Sequence, residues 1–409
     1  MRPTSEKAKS ASKVSSRGSL EGCGKSVPKL RFPRFAGEWN KYSLNECLSV
    51  YCKRNKGRFT KEEVLSVSGE FGIVNQIEFQ GRSFAGESIT NYKVISPGLL
   101  VYTKSPLREA PYGIVKASRT TNGIVSPLYG VYTSSDKVIP CFVEAYFANA
   151  LRRNRYFKPL VNLGPKHTMC ISDEGALAGT ITLPEIEEQS RICDFLLVLD
   201  SRITAQRRLV ELLKKQKRGL LREVFEEKIE GDCYSFSEVA CRRNEKIAPT
   251  KDSRLDCIEL EHIEPETGML LGSVPLSGQN SLKNLCKPSD IVFGKLRPYL
   301  RKFVFAENKC AVSSETWVLT AAYGIYPKFL FYLIQSEPFM RAASVSSGTK
   351  MPRSEWSNVA NAKFYIPDAK QQVAIADCFS KVDCRIQQSQ RTLVAMETYK
   401  RGLLQQLFV

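Results

Sequence analysis

The chain has only two histidines, His167 and His262, and no Cys-x-x-Cys pair among its 13 cysteines. Zinc sites need such ligands at short regular spacing, and disulfide frameworks need an even set. The sequence argues against both, and scattered unpaired thiols suit a reducing cytoplasm. No run of roughly 18 apolar residues occurs, which argues against a transmembrane helix. The first residues carry no apolar core, so they do not read as a secretory signal. Acidic residues are the other shortage: 42 stand against 60 basic ones in 409 residues, a formal charge of +18. A field of that sign favours polyanionic partners, nucleic acid above all.

Catalytic motifs are also missing. Gly22–Ser26 (GCGKS) imitates a phosphate loop, but Ser19 stands where the first glycine belongs. An adenine methyltransferase would show a paired-proline motif ending in tyrosine; Ser126-Pro127-Leu128-Tyr129 lacks the second proline. A methyl-donor loop would need a second glycine that Phe35-Ala36-Gly37 and Phe84-Ala85-Gly86 do not supply. Pro367-Asp368-Ala369-Lys370 begins like a metal-dependent nuclease motif, but lies at a helix start with no upstream carboxylate strand. The chain reads as a non-enzyme.

What is present is a repeat. Leu183–Phe225 aligns without a gap onto Ile366–Phe408 at a constant offset of 183 residues, with about a third of positions identical. Both copies contain Lys-Arg-Gly-Leu-Leu, at Lys217–Leu221 and Lys400–Leu404. Such a match signals internal duplication. In each copy apolar residues alternate spacings of four and three, as at Ile192, Leu196, Leu199 and Ile203, and at Ile375, Phe379, Val382 and Ile386. That period belongs to a coiled-coil seam. The interruptions also match: Gln206 with Ser389, and Lys217 with Lys400. Each helix starts after a proline, Pro184 or Pro367, which suits a first turn. About 37 residues make a rod of about 55 Å. The seam should continue through Leu220 and Val224. If the rods run antiparallel, Lys217 should lie near the second rod's first turns, facing Asp377, and Lys400 should face Asp194. Gly219 and Gly402 sit mid-helix, where glycine is unfavourable by about 1 kcal/mol. A globule or partner backbone approaching closely would explain them.

The remaining segments alternate strand and helix patterns. Strands are predicted over Lys93–Thr103, Gly123–Thr133, Asp290–Phe293 and Cys310–Thr320, and helices over Pro140–Leu151 and Pro327–Gln335. GIVSPLYGVYT (Gly123–Thr133) echoes CAVSSETWVLT (Cys310–Thr320). The expected layout is a basic flexible tail (1–30), a first globule (31–182), a long helix (183–230), a second globule (231–365) and a second long helix (366–409). The fold class is α/β: two mixed α/β globules in tandem, separated by two long helices that form an antiparallel coiled coil with pseudo-twofold symmetry.

Leu183–Ile192 (LPEIEEQSRI) resembles the Pro-x-x-x-Glu-Gln-x-x-Ile helix start of type I restriction–modification specificity subunits. Val27–Trp39 (VPKLRFPRFAGEW) is similar to that family's leading segment. Tyr92–Gly98 with Ser126–Tyr129, and Ser289–Lys302, resemble two types of its target-recognition domain. The second rod departs from the pattern, since PDAKQQ lacks the usual Glu before Gln, and the tail is longer and more basic. The resemblance implies a subunit without a catalytic site, in a complex that defends against foreign DNA. Its partners would be double-stranded DNA, two adenine-N6 methyltransferase subunits and, optionally, helicase-nuclease restriction subunits, with no membrane. S-adenosylmethionine, ATP and Mg would be bound by those partners and no cofactor by this chain. Each globule would read half of a split target, while the helices set the gap and dock the methyltransferases.

Phosphates are gripped mainly by Lys, Arg and backbone amides; base edges need polar side chains held in a groove. In the second globule GKLRPYLRK is the densest candidate, with Lys295, Arg297, Tyr299, Arg301 and Lys302; Lys350 and Arg353 follow. In the first, the candidates are Lys104, Arg108, Arg119, Arg152, Arg153, Arg155 and Lys166. Another reading remains open: a coiled-coil scaffold that pairs two proteins and never reads DNA.

Overall fold

A computed structural model describes residues 27–107, 109–163, 169–345 and 351–409. Nearly all of the basic tail lies outside them. The chain divides into two compact units, Met1–Leu199 with Tyr399–Val409, and Asp200–Thr398.

In the first unit an antiparallel sheet orders its strands Leu48–Val50, Gly130–Ser134, Leu100–Tyr102 and Val115–Ala117. In the second, Ala240–Arg242, Thr316–Ala321, Ile291–Gly294 and Phe303–Phe305 take the same order, again all antiparallel. Three predicted strands are each two strands. Lys93–Thr103 breaks after Ile95 at Pro97-Gly98, where Gly98 takes φ +89°. Gly123–Thr133 breaks at a turn in which Tyr129 N–H donates to Ser126 C=O at 3.1 Å. Cys310–Thr320 breaks at the matching turn, Thr316 N–H to Ser313 C=O at 3.1 Å. The echo between these two segments therefore marks equivalent structure. The predicted helix Pro140–Leu151 stops at Ala148. Asn149 then caps a new helix, Ala150–Phe157, by accepting from Arg152 N–H at 3.1 Å.

Each unit closes with a two-stranded ladder that leads into a long helix. Asn40–Ser43 pairs with Thr180–Leu183, and Asp232–Ser235 with Lys363–Ile366. Ser43 and Ser235 each open a short helix with a capping box, completed by Glu46 and Glu238. The long helices run Ile186–Arg222, continuing as a π turn over Glu223–Lys228, and Ala369–Gln406. Just inside them, buried Gln189 and Gln372 make the same three bonds. Gln189 accepts from Ile139 N–H at 3.0 Å and donates to Lys137 and Pro184 carbonyls, each at 3.0 Å. Gln372 accepts from Tyr326 N–H at 2.8 Å and donates to Gly324 and Pro367 carbonyls at 3.3 and 2.9 Å.

The helices pair antiparallel within the second unit. Gln206 donates to Ser389 C=O at 2.9 Å, Arg207 meets Glu397 at 2.5 Å, and Lys217 meets Asp383 at 2.7 Å. Lys217 therefore faces Asp383, further along than the expected Asp377. After Lys217 the buried face passes to Leu221 and Phe225 rather than Leu220 and Val224. The reason is the globule: Phe225 packs against Phe329 at 5.7 Å between ring centroids. At the corresponding place just past the second helix, Phe408 packs against Phe142 at 5.1 Å within the first unit. A Cβ added at Gly219 or Gly402 meets nothing within 4 Å. The expected close approach by a globule is therefore not made at either glycine.

Candidate nucleic-acid interface

The second unit brings its two basic segments together. Ser354 N–H donates to Lys295 C=O and Arg297 N–H to Pro352 C=O, both at 2.8 Å, and Leu296 bridges Arg353. Between these anchors a short 3-10 turn, Pro298–Leu300, is flanked by Arg297 and Arg301 at φ 51° and 50°. Left-handed conformations are uncommon outside glycine and tend to collect at functional loops. The strained turn leaves Arg297 exposed and Tyr299 60% exposed. An aromatic ring and a guanidinium held outward can stack on bases and bond to phosphates or base edges.

Lys295 also borders an open polar cleft with Arg242, Asn244, Lys246, Asn284 and Trp317. Arg242 lies 4.7 Å over the Trp356 ring, while Asn244 and Lys246 are exposed. Arg243 beside them is held by Asp290 at 2.7 Å and Glu245 at 2.9 Å. The bonds to Asp290 push its guanidinium pKa up, so it stays charged. Glu245 is also drawn onto Lys287 at 2.8 Å, and the bonds from Lys287 and Arg243 pull its carboxyl pKa down. Sequence reasoning missed Arg242, Asn244 and Lys246. The run RRNEK was the available signal, and Glu245 within it hid the positive edge.

Other candidates are engaged inside the fold. Arg301 reaches Glu337 at 2.6 Å and Gln335 C=O at 2.7 Å, and Lys302 donates to Leu260 C=O at 2.5 Å. Arg353 makes two bonds to Glu315, at 2.9 and 3.2 Å, but remains at the surface. That pairing pulls the Glu315 carboxyl down and pushes the Arg353 guanidinium up.

In the first unit Arg152 donates to Leu404 C=O and lies 4.7 Å over the Phe408 ring. Burial pulls its pKa down to about 10. Arg153 is buried and donates to Phe147 and Glu109 carbonyls at 3.2 and 3.3 Å. Lys104 and Lys93 share Asp173, both at 2.5 Å. Arg119 meets Glu144 at 3.2 Å and remains partly exposed; Arg155 is exposed on Ala150–Phe157. Arg108, Lys166 and Lys350 lie outside the described residues. Among the described residues no cluster of His, Cys, Asp and Glu could hold a metal ion, and no helix is long and apolar enough to cross a membrane.

Residues 248–396, which contain the basic turn, match the family described as the type I restriction modification DNA specificity domain. That match spans just over a third of the chain. The resemblance read from Leu183–Ile192 and the duplicated helices is thus borne out. Over 135 residues the chain is 28% identical to the type I restriction enzyme HindI specificity subunit of Haemophilus influenzae, a match spanning 31% of this chain and 29% of that relative. The fold extends further. The S subunit of a type I restriction–modification system from M. genitalium superposes with a TM-score of 0.57 at 14% identity, covering 94% of this chain and 99% of that one. A second structure, solved to explain complex assembly and conformational transition of the type I R-M system, gives a TM-score of 0.50 at 15% identity, covering 90% and 97%. The matched segment lies in a chain whose two mixed α/β units and paired helices follow the fold of solved S subunits.

Proposed function

We propose that this chain is the DNA-reading subunit of a type I restriction–modification complex. Each unit reads one half of a split target, and the two helices set the gap and dock two methyltransferase subunits. The single observation that carries this reading is the duplication. One sheet order, one ladder and one glutamine-pinned helix start are built twice, each beside its own loops. Slowly diverging helices with fast-diverging globules fit a common spacer between two different readers.

In the second unit, the DNA-facing residues are Lys295, Arg297, Tyr299, Arg242 and Lys246. In the first, Arg119 and Arg155 keep that role. Arg152, Arg153, Lys104, Arg301 and Lys302 serve the fold instead. The chain supplies no catalytic group; S-adenosylmethionine, ATP and Mg belong to the methyltransferase and restriction partners.

The test is to express the chain with its methyltransferase subunit and map N6-methyladenine across the host genome. A split motif should appear. Exchanging residues 231–365 for those of another specificity subunit should change one half of it only. Absence of new methylation, with DNA binding insensitive to salt, would leave a protein-pairing scaffold.

A further inference from the structure

The duplication lets one unit show what the other lacks. Tyr42 and Tyr234 hold the same place in the two closing ladders, opposite Ile181 and Phe364. Glu46 and Glu238 complete the same capping box, and Lys137 and Gly324 supply the carbonyls that Gln189 and Gln372 bond. In the first unit these three places form a small cation site. Lys137 Nζ lies 5.6 Å over the Tyr42 ring and 3.9 Å from Glu46 Oε2, while Glu46 Oε1 accepts from Ser43 N–H at 3.0 Å.

In the second unit the tyrosine and the glutamate are kept and the lysine is gone. Glu238 Oε2 takes both Ser235 donors, the N–H at 2.6 Å and the hydroxyl at 2.5 Å. Among the described residues its other oxygen has no bonded partner. Gly324 takes φ +80°, which disfavours a lysine at that position. The place left is an open groove lined by Glu230, Asp232, Tyr234, Glu238, Tyr323 and Asp368, with no lysine or arginine on its walls. Tyr323 is fully exposed. The bonds from Ser235 pull the Glu238 carboxyl pKa down; Lys363, opposite Ser235 on the ladder, adds to that pull but does not line the groove. Carboxylates beside aromatic faces attract ammonium and guanidinium groups, and these stand in a chain whose formal charge is +18.

We propose that this groove receives one lysine or arginine side chain from a partner protein, in the place that Lys137 fills in the first unit. Tyr234 offers its ring and Glu238 its free oxygen, as Tyr42 and Glu46 do for Lys137. The carboxylates of Glu230, Asp232 and Asp368 favour a basic segment around that side chain and repel a nucleic-acid backbone. The first unit's site is filled from within, so one chain takes one such segment. This inference does not depend on the DNA-reading role.

The full chain, with isotope-labelled tyrosines, is titrated with a short glycine-serine peptide that carries one central lysine, and followed by NMR. The Tyr234 signal should shift saturably at millimolar peptide, and the same peptide with norleucine for lysine should leave it unmoved. Glu238→Gln keeps the capping box and should raise the half-saturating concentration about fivefold. Lys137→Ala empties the first unit's site, so the Tyr42 signal should then respond as Tyr234 does, which it should not in the parent chain. Equal responses to the lysine and norleucine peptides, no Tyr234 response up to about 20 mM peptide, or an unaffected Glu238→Gln overturns the proposal. So does a Tyr234 signal that moves on deletion of residues 2–26 or on dilution, since the groove would then hold the chain's own tail or a second copy.

Discussion

Lys217 Nζ lies 2.7 Å from Asp383 Oδ1, with the two side chains only 4% and 12% exposed. The other Asp383 oxygen accepts the Tyr332 hydroxyl at 3.0 Å. One ion pair thus joins both long helices to the globular helix Pro327–Leu333. Burial pulls the Lys217 pKa down, and Asp383 opposes that pull. Removing one partner from such a pair leaves a buried charge alone, which typically costs about 3–5 kcal/mol. Asp383→Ala should lower stability by about that amount in urea unfolding. Lys217→Met combined with Asp383→Leu should recover most of the loss, because two apolar groups leave no charge to solvate.

Gln372 offers a second test, on the neutral side. Its side chain satisfies Tyr326 N–H and the carbonyls of Gly324 and Pro367 from a buried position. Gln372→Ala strands these groups and should cost about 1–3 kcal/mol. Gln189→Ala should cost a similar amount, since its three bonds are equivalent. Urea midpoints of the two single variants check this; a loss at only one position would show that the two helix starts are not energetically alike.

Asp173 ties the first unit's stability to pH. Burial raises its carboxyl pKa, but the bonds and charges of Lys104 and Lys93 outweigh burial and hold it below its ordinary 3.8. A depressed carboxyl contributes stability above its unfolded pKa and loses it as pH falls through the folded value. The contribution should therefore be full at neutral pH and fade below about pH 4. Asp173→Asn should lower stability at pH 7 by about 1–3 kcal/mol and narrow its difference from the parent at lower pH. Denaturation midpoints across that range measure it.

Arginines that look alike in sequence should separate in DNA-binding assays. Lys295→Ala and Arg297→Ala should each weaken binding by the assembled complex and reduce the salt slope by about one, leaving the melting temperature unchanged. Arg152→Ala should do the reverse. Its guanidinium donates to Leu404 C=O and covers Phe408, so its loss should cost about 1–3 kcal/mol of stability without changing the slope. An unchanged slope in both Lys295→Ala and Arg297→Ala would remove the strained turn from the interface.

Much of the architecture was legible in the order of residues. The duplicated rods, their polar interruptions, the helix starts after Pro184 and Pro367, and the echo between Gly123–Thr133 and Cys310–Thr320 all rest on local chemistry. Periodicity and turn residues act between near neighbours, so contiguous sequence carries them. Pro97-Gly98 carried its signal too, since it divides one expected strand into two.

The charged side chains divided differently. Arg152, Arg301 and Lys302 read as a cationic surface, yet they bond to carbonyls and carboxylates 252, 36 and 42 residues away. Arg242 and Lys246 looked ordinary beside Glu245, yet they edge the cleft that Lys295 enters. An arginine carries the same charge whether it meets water, a carbonyl or a phosphate, and its place in the chain does not say which. Residue order therefore set two like units and a paired spacer. Long-range packing decided which cations hold the fold and which remain at the surface.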